Sequence, residues 1–421
     1  MADKFIPSAK LDRFQRKFND NRFYFISLQL EIDGYIDLDR LEKAVAKVAE
    51  AVTILKCYYT GSFEEEDSGW VLLTREPQWV KAGSSDPASV TAILDNLPTE
   101  HSPLHVTADQ NGPQCTLVFS IDHTVTDAHG LWDIVGMISA CYVNLAWDPD
   151  YTPSPVREWN TRSMNPLLDS YSREACAAMC RAEAAKRIPV QQYQKLFIFP
   201  QEKRGKPQLF VEKIQPQTQN SMKEFARRNN ATLNDVLITV YAAALQEYVL
   251  DKFQTSMSIV PIRGAVDLRR YLPPYLRHEI KNYSVSYWSR APIPKSGDIV
   301  SILREVTALS KMHHTTAPGI GELFAIEEPE SEAAKPYLEP EYYSTPFMSN
   351  AGILPKDIVD FGNDIAVIDA LNYANITTGN PFVIVVLTWN NTMSFSIFTD
   401  GEYDTAQHLL KRISELLSDL N

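Results

Sequence analysis

The chain has 421 residues, of which 44% are hydrophobic and 22% charged, a composition typical of a globular protein long enough for two domains. Its formal net charge of −13 argues against a nucleic-acid partner, which needs clustered lysine and arginine. No apolar run approaches the ~20 residues of a membrane span, and the N-terminus lacks a signal-peptide core. We therefore expect a cytoplasmic protein whose five scattered cysteines are reduced.

In the N-terminal quarter of the chain, the residue pattern predicts alternating strands and helices. Residues 23–32 alternate between polar and apolar as in a strand, and Asp37 precedes a helix whose apolar residues recur at helical spacing. Residues rich in β-formers return at 53–60 and 69–74, on either side of an acidic stretch that we interpret as a hairpin loop. A short helix is predicted at 86–97.

The best-defined stretch is a strand, a corner and a helix between residues 113 and 145. Residues 114–122 alternate as in a strand with one apolar face, and apolar residues then recur at helical spacing from 131 to 142. His123 lies in the corner, with Asp127 four residues later. A scaffold of regular elements fixes the backbone at such a corner, so it is a suitable position for a catalytic base.

The second half repeats the alternation after a proline-rich crossover between 147 and 200, which contains a predicted helix at 172–186. A strand is predicted at 208–214. Ser221–Glu224 has the capping-box pattern before a short helix, and Thr232–Asp235 opens a longer, apolar one.

The sequence also predicts the strands and the helix of the C-terminal part of the chain. Residues 259–262 predict a strand. Strands at 382–389 and 393–399 flank Asn390–Asn391, a hairpin turn signal, before a C-terminal helix at 405–420.

His123-x-x-x-Asp127 at a strand-to-helix corner resembles the active-site motif shared by chloramphenicol acetyltransferase, the condensation domains of non-ribosomal peptide synthetases and the BAHD-type acyltransferases. Further phrases resemble those relatives in the same order along most of the chain: Thr-Leu-Asn-Asp-Val-Leu at 232–237, Asp267-Leu-Arg269, Asn282, Ser349-Asn-Ala-Gly352 and Asp360-Phe-Gly362. Each phrase is weak alone, and their order carries the resemblance.

The sequence departs from the family pattern at three places. Ala128 stands where a glycine usually follows the aspartate, and Asp122 stands where condensation domains often have a second histidine. Asn363-Asp364 replaces the final pair of the BAHD box. The missing histidine argues against a peptide-bond-forming condensation domain, and the chain is interpreted as a divergent, stand-alone member.

The resemblance implies an α/β fold of two chloramphenicol-acetyltransferase-like lobes, with mixed sheets covered by helices and an active-site channel between the lobes. We predict an N-terminal lobe at 1–165 that carries the motif, a crossover at 166–205 and a C-terminal lobe at 206–421.

His123 is the predicted general base, because histidine titrates near neutral pH, at about 6.5 when unperturbed. A buried core histidine is the plainer alternative. The resemblance gives Asp127 a structural role, in which its carboxylate pairs with an arginine of the second half. Arg269 is the first candidate and Arg263 the second. A metal site of His123, Asp127 and His129 is disfavoured because no further ligand cluster accompanies them.

The tetrahedral oxyanion of acyl transfer needs a hydrogen-bond donor. The hydroxyl of Ser349 or of Thr345 is a candidate, and Asn350 is a further candidate contact to oxyanion or substrate. An ordinary turn residue is an equally open interpretation of Ser349.

The sequence therefore predicts an acyltransferase that moves an acyl group from a CoA or carrier-protein thioester to a hydroxyl, less readily an amine, of a small molecule in secondary metabolism. The thioester is a co-substrate, and no tightly bound cofactor or metal is expected. We expect a monomer whose partners are the acceptor and the thioester donor. The alternatives are the same fold repurposed for cyclisation, dehydration or other carrier-bound chemistry, or a non-catalytic module that binds a carrier protein.

Overall fold

The computed structural model describes residues 5–17, 24–61, 65, 67–156, 162–197, 205–314, 316–337, 346–374 and 382–420. The chain divides into two compact units. Unit 1 consists of Met1–Met164, Arg269–Tyr283 and Ile353–Thr377, and unit 2 of Asn165–Leu268, Ser284–Gly352 and Thr378–Asn421.

This division differs from the domain boundaries expected from the sequence. The first break falls at Met164, next to the predicted end of the N-terminal lobe, but the predicted crossover at 166–205 belongs to unit 2. Two segments of the predicted C-terminal lobe, Arg269–Tyr283 and Ile353–Thr377, belong to unit 1. Unit 1 is thus assembled from three separate segments of the chain.

The strands are numbered along the chain: β1 (Phe5–Pro7), β2 (Phe25–Asp33), β3 (Cys57–Thr60), β4 (Gly69–Leu72), β5 (Val80–Ala82), β6 (Leu104–Asn111), β7 (Gln114–Asp122), β8 (Gln208–Ile214), β9 (Ile259–Val260), β10 (Arg263–Asp267), β11 (Ser284–Trp288), β12 (Ala291–Pro292), β13 (Phe347–Ile353), β14 (Ala366–Ala374), β15 (Val383–Trp389) and β16 (Thr392–Thr399). The α-helices are α1 (Lys10–Lys17), α2 (Leu38–Ala51), α3 (Pro87–Asp95), α4 (Ala128–Leu145), α5 (Asn165–Leu168), α6 (Arg173–Ala185), α7 (Gln191–Gln194), α8 (Pro216–Arg228), α9 (Leu233–Phe253), α10 (Ile299–His314), α11 (Ile320–Glu327) and α12 (Tyr403–Ser418).

Unit 1 is built on a five-stranded sheet in the order β14-β2-β7-β6-β5. Its strands pair antiparallel except β5 and β6, which are parallel. Helices α2 and α4 pack against each other, and α4 also packs on β2. Leu28 and Phe119 are register partners on β2 and β7, and both are fully buried. Since only five residues separate the end of β7 from the start of α4, the turn between them is held at both ends by packed elements.

A smaller antiparallel sheet, β1-β4-β3, completes the strands of unit 1. The helices begin at side-chain caps: the Asp37 carboxylate accepts from Arg40 N before α2, and the Asp86 carboxylate accepts from Ser89 N before α3. Each cap satisfies one of the backbone N–H groups left without a partner at a helix N-terminus.

Unit 2 is built on a six-stranded mixed sheet in the order β11-β10-β13-β15-β16-β8. Helix α9 lies in its core and contacts α8, α10 and α12. Its first turn has the predicted capping box, in which Thr232 and Asp235 exchange side-chain to backbone hydrogen bonds. Asn390 and Asn391, both with positive φ, connect β15 to β16 in the predicted hairpin. Mixed sheets covered by helices are therefore confirmed in each unit.

Two local predictions differ from the structure. Helix α8 begins at Pro216, and Ser221 lies inside it, so the predicted capping box at Ser221 is wrong; proline is favoured in the first helical turn because its N–H would lack a partner there anyway. Thr53–Lys56, predicted as strand, forms a 3-10 turn before β3. Strands β5, β6 and β14 of the unit 1 sheet were not predicted. No helix in the described part of the chain is long and apolar enough to span a membrane.

Candidate active site

The turn between β7 and α4 carries His123, which is largely buried. Its backbone N donates to the carbonyl of Tyr24 at 2.8 Å, and the ring of Tyr24 lies against the imidazole with centroids 4.8 Å apart. The preceding Asp122 accepts from the backbone N and the hydroxyl of Thr124, at 2.9 and 2.7 Å, and from Arg16 Nη1 at 2.9 Å. The turn thus begins with both its backbone and its acidic side chain satisfied.

The hydrogen bonds of His123 define which ring nitrogen carries the proton. Nδ1 lies 2.9 Å from the carbonyl oxygen of Thr126. A carbonyl can only accept, so Nδ1 is the donor and the neutral ring keeps its lone pair on Nε2. No side chain or backbone group in the described ranges hydrogen-bonds Nε2. The ring is therefore oriented as a base whose free nitrogen is Nε2.

Burial lowers the pKa of His123 below its ordinary value, because the charged imidazolium loses solvation there. The hydrogen bond to Thr126 and the negative charge of Asp127 act in the opposite direction. Burial also raises the pKa of the adjacent Tyr24 to about 12. At neutral pH the histidine is consequently uncharged, which is the form that accepts a proton.

Asn282 contacts His123 from the segment 269–283. Its side-chain Nδ2 donates to the carbonyl of His123 at 2.7 Å and lies 3.2 Å from Nδ1. Because Nδ1 already donates to Thr126, the bond to the carbonyl is the one that holds the amide. Asn282 is fully buried, so this contact fixes the backbone of the histidine itself.

Asp127 is the N-cap of α4 and accepts hydrogen bonds from three directions. Its carboxylate takes the backbone N–H of Gly130 at 3.1 Å and that of Tyr283 at 2.7 Å. Arg269 Nη1 lies 2.8 and 2.6 Å from its two oxygens. The carboxylate therefore joins the start of α4 to the segment 269–283 and does not hydrogen-bond the imidazole.

Arg269, the first candidate partner of Asp127, is engaged on all sides of its guanidinium. Its Nε donates to the carbonyl of Arg277 and its Nη2 to the carbonyl of Lys281, both at 3.1 Å. The group also lies 4.8 Å from the ring centroid of Tyr283. Arg263, the second candidate, instead donates to Glu322 at 2.6 Å within unit 2.

A second buried arginine, Arg162, supports the same turn and was missed by the sequence analysis. Its Nη2 donates to the carbonyls of Thr124 at 3.2 Å and Val125 at 2.7 Å. Asp12 neutralises it through two bonds of 2.6 and 3.0 Å. Asp12 and Arg162 are 150 residues apart and belong to no motif, so no local signal in the sequence could have paired them.

Gly130 lies at a position of the turn that leaves no space for a side chain. A Cβ on Gly130 would lie 1.8 Å from Thr126 Oγ1, which donates to the carbonyl of Lys281 at 3.0 Å. The same Cβ would lie 3.4 Å from Arg269 Nη2. This close approach therefore requires glycine at position 130.

The remaining candidates are Ser349, Asn350, Thr345 and His129. Ser349 and Asn350 lie on β13. Both belong to unit 2, whose middle segment ends at Gly352. Asn350 is exposed, and its side chain bonds Asn234 and the backbone N of Gly352. Thr345 lies outside the described residues. His129 packs edge-on against Trp132 at 4.8 Å, and no group of three or more metal-ligating side chains occurs in the described ranges.

No family model matches the chain, and no curated protein is significantly similar to it in sequence. Solved structures are similar over nearly the whole length. The trichothecene 15-O-acetyltransferase TRI3 from Fusarium sporotrichioides is 12% identical with a TM-score of 0.73, covering 99% of this chain and 95% of that chain. The first condensation domain of the calcium-dependent antibiotic synthetase is 16% identical with a TM-score of 0.70, covering 98% and 96%.

Polyketide synthase associated protein 5 from Mycobacterium tuberculosis is 18% identical with a TM-score of 0.67, and the match covers 99% of this chain and 98% of that chain. These proteins share one architecture with the chain at identities that establish the fold alone. The chain therefore has the chloramphenicol-acetyltransferase-like fold of condensation domains and related acetyltransferases.

Proposed function

We propose that this protein is an acyltransferase that moves an acyl group from a CoA or carrier-protein thioester to a hydroxyl of a small molecule, with His123 as the general base. The observation that carries the proposal is the bond from His123 Nδ1 to the carbonyl of Thr126, which leaves Nε2 as the basic nitrogen. The fold shared with an acetyltransferase and with condensation domains supports this class of reaction.

The reaction needs one base that also returns its proton. Nε2 of His123 takes the proton of the acceptor hydroxyl while the hydroxyl oxygen attacks the thioester carbonyl carbon. The tetrahedral intermediate then expels the thiolate by breaking its C–S bond, and the proton on Nε2 passes to the sulfur. The Thr126 carbonyl accepts from Nδ1 throughout and stabilises the transient imidazolium. No covalent acyl-enzyme is required.

Such a base is efficient only if its position is fixed before the substrate binds, so that its nitrogen lies ~2.6–3.2 Å from the oxygen that carries the proton. The turn meets this requirement through contacts to its backbone. Asn282 holds the carbonyl of His123, Arg162 holds the next two carbonyls, and the Asp127 carboxylate is held by Arg269. These groups are positioning residues, because each acts through the turn that carries the imidazole.

Ser349, Thr345 and Asn350 remain the proposed donors to the oxyanion or contacts to the substrate. One oxyanion donor typically contributes about 10²–10³-fold in kcat. If Ser349 is that donor, Ser349→Ala should lower kcat by about 10²–10³-fold and change KM much less. A loss confined to KM would remove Ser349 from the oxyanion role and leave the general base untouched.

The deciding experiment measures the release of free thiol from a panel of acyl-CoAs, short to long, with and without pooled alcohols and amines. His123→Ala is compared with the wild type and with His408→Ala, which removes an exposed histidine of α12. We expect acceptor-stimulated release that falls by about 10²–10⁴-fold in His123→Ala and is unchanged in His408→Ala.

Two other outcomes are informative. Acceptor-stimulated release that persists in a folded His123→Ala variant would overturn the assignment of the base. Silence of both folded proteins with every acyl-CoA would exclude CoA thioesters as donors, and the same comparison would then be made with acyl groups loaded on a carrier protein.

A further inference from the structure

A short segment, residues 281–283, contacts the turn that carries His123 with each of its residues. The contacts are a carbonyl that accepts from a hydroxyl, an amide that donates to a carbonyl and a backbone N–H that donates to a carboxylate: Lys281 with Thr126 at 3.0 Å, Asn282 with His123 at 2.7 Å and Tyr283 with Asp127 at 2.7 Å. Two of the three contacts use only the backbone of the segment. The position of the turn therefore depends on what holds residues 281–283.

The carboxylate of Glu279 holds both ends of this segment. One of its oxygens, Oε2, accepts from the hydroxyl of Tyr283 at 2.8 Å and lies 3.0 Å from the ammonium of Lys281. All three side chains are buried, and all three residues belong to unit 1, as the turn does. Within the described ranges Glu279 makes no hydrogen bond to the turn itself, so it can act on the turn only through the segment that it holds.

Burial makes the two bonds to Glu279 important for the arrangement of the segment. A carboxylate or an ammonium removed from water is unfavourable unless it is paired and hydrogen-bonded. Burial lowers the pKa of Lys281, and the bond to Glu279 acts in the opposite direction. Burial and the bond to Glu279 both raise the pKa of the Tyr283 hydroxyl, which therefore keeps its proton and donates it to the carboxylate.

We propose that Glu279 is a positioning residue for His123, which acts by fixing residues 281–283 against the turn. The inference rests on the proposed function, because it matters for catalysis only if His123 is the base. With the segment fixed, the backbone of the turn has one position and Nε2 is presented at one place. A turn that is held less firmly places the nitrogen within reach of the acceptor hydroxyl for a smaller fraction of the time.

Two substitutions remove the bonds to Glu279 and retain every group that contacts the turn. Tyr283→Phe deletes only the hydroxyl, since the backbone N–H of this residue makes the contact to the turn. Lys281→Met deletes only the ammonium, since the backbone carbonyl of this residue makes the contact. An effect of either variant on the turn is therefore transmitted through the position of the segment.

Tyr241→Phe is the matched control. It also deletes a buried tyrosine hydroxyl, which donates to the carbonyl of Phe382 at 2.6 Å within unit 2. The loss of this hydrogen bond should lower the free energy of unfolding without changing the turn. Urea unfolding of each variant shows how much stability it has lost.

The first measurement does not depend on turnover. The full-length protein is labelled with ¹⁵N in its histidine rings, and the Nδ1–H signal of His123 is identified by its absence from His123→Ala. This hydrogen is bonded to the carbonyl of Thr126, so its exchange with water reports how firmly the turn is held. The exchange should be about tenfold faster in Tyr283→Phe and in Lys281→Met, and unchanged in Tyr241→Phe.

A double variant tests whether the hydroxyl acts through Glu279. In Glu279→Ala the hydroxyl of Tyr283 has lost its acceptor, so adding Tyr283→Phe should not accelerate the exchange further. If Tyr283→Phe accelerated the exchange by the same factor in the presence and absence of Glu279, the hydroxyl would act independently of the carboxylate and the proposal would be wrong.

The second measurement uses the thiol-release assay with a donor that supports turnover. In Tyr283→Phe and Lys281→Met kcat should fall by about tenfold and KM should change much less, because the base is displaced while the groups that contact the substrate are retained. Tyr241→Phe should keep the kcat of the wild type. An equal loss of kcat in Tyr241→Phe would show that the effect follows stability alone and would overturn the proposal.

Exchange that is as slow in folded Tyr283→Phe and Lys281→Met as in the wild type would also overturn it, whether or not a donor is found. If Lys281→Met or Glu279→Ala fails to fold, as judged by circular dichroism, Tyr283→Phe decides the matter. The two proposals fail separately: persistence of turnover in His123→Ala counts against the assigned base, whereas the exchange of the Nδ1–H decides the role of Glu279.

Discussion

Replacing Asp127 by asparagine removes one charge from a buried pair and leaves the shape of the side chain unchanged. Asp127 and Arg269 are 4% and 6% exposed, and Arg269 Nη1 lies 2.6 Å from the nearer carboxylate oxygen. In the variant the guanidinium keeps the carbonyls of Arg277 and Lys281 but loses the negative charge of Asp127. The new amide also turns a donor toward the N–H groups of Gly130 and Tyr283 or toward Arg269.

Removing one partner of a buried ion pair costs about 3–5 kcal/mol. We expect the lower end, about 3 kcal/mol, because two carbonyls still solvate the guanidinium. The assay is urea unfolding of the wild type, Asp127→Asn, Arg269→Met and the double variant. The two single losses should not add, since each removes the same interaction.

Glu76→Gln is the matched control for this experiment. Glu76 pairs with Lys56 at 2.8 Å, but its side chain is 65% exposed, and such exposed pairs contribute about 0–1 kcal/mol. A loss below about 1 kcal/mol in Asp127→Asn, or additive losses in the double variant, would refute the claim that this pair holds the turn.

The other predictions concern the same turn. Gly130→Ala should lower the free energy of unfolding by about 1–3 kcal/mol, because its Cβ would meet Thr126 Oγ1 at 1.8 Å. Gly83→Ala is the control, since its Cβ would have no neighbour within 4 Å, and it should leave stability unchanged. Equal melting temperatures for both variants would contradict the steric argument. Burial lowers the pKa of His123, so the pH-independent plateau of kcat/KM should extend to pH values below ~6.5. The value of kcat/KM should fall only as the pH drops through the lowered pKa. A fall that begins above pH ~6.5 would contradict this assignment. The stability contributed by the neutral ring has the same sign: it is fully present above the unfolded pKa of ~6.5 and is lost as the pH falls.

Local patterns predicted the elements with a distinct signature. The strand at 114–122 and the helix after His123 were visible because hydrophobic spacing changes from two to about 3.6 residues at the corner. Thr232–Asp235 and Asn390–Asn391 were visible because caps and tight turns require particular side chains. Arg269 was identified through the resemblance, not through spacing.

What the sequence could not supply is the set of long-range contacts. Arg162 reaches Thr124 and Val125 across 38 and 37 residues and has no neighbouring motif. Strand β6 was missed because its last three residues, Asp109–Asn111, are polar and shorten the apolar alternation.

The three-segment construction of unit 1 has a consequence for how the protein can be made. On the ribosome, the turn that carries His123 emerges long before Arg269, Asn282 and Tyr283, so its hydrogen bonds stay incomplete until that later segment follows. Strand β2 likewise waits for β14, its outer neighbour in the sheet. A fragment truncated after Met164 would therefore expose β2 as an unpaired edge strand, which is a template for aggregation. Unit 1 can complete its fold only when the chain includes both later segments.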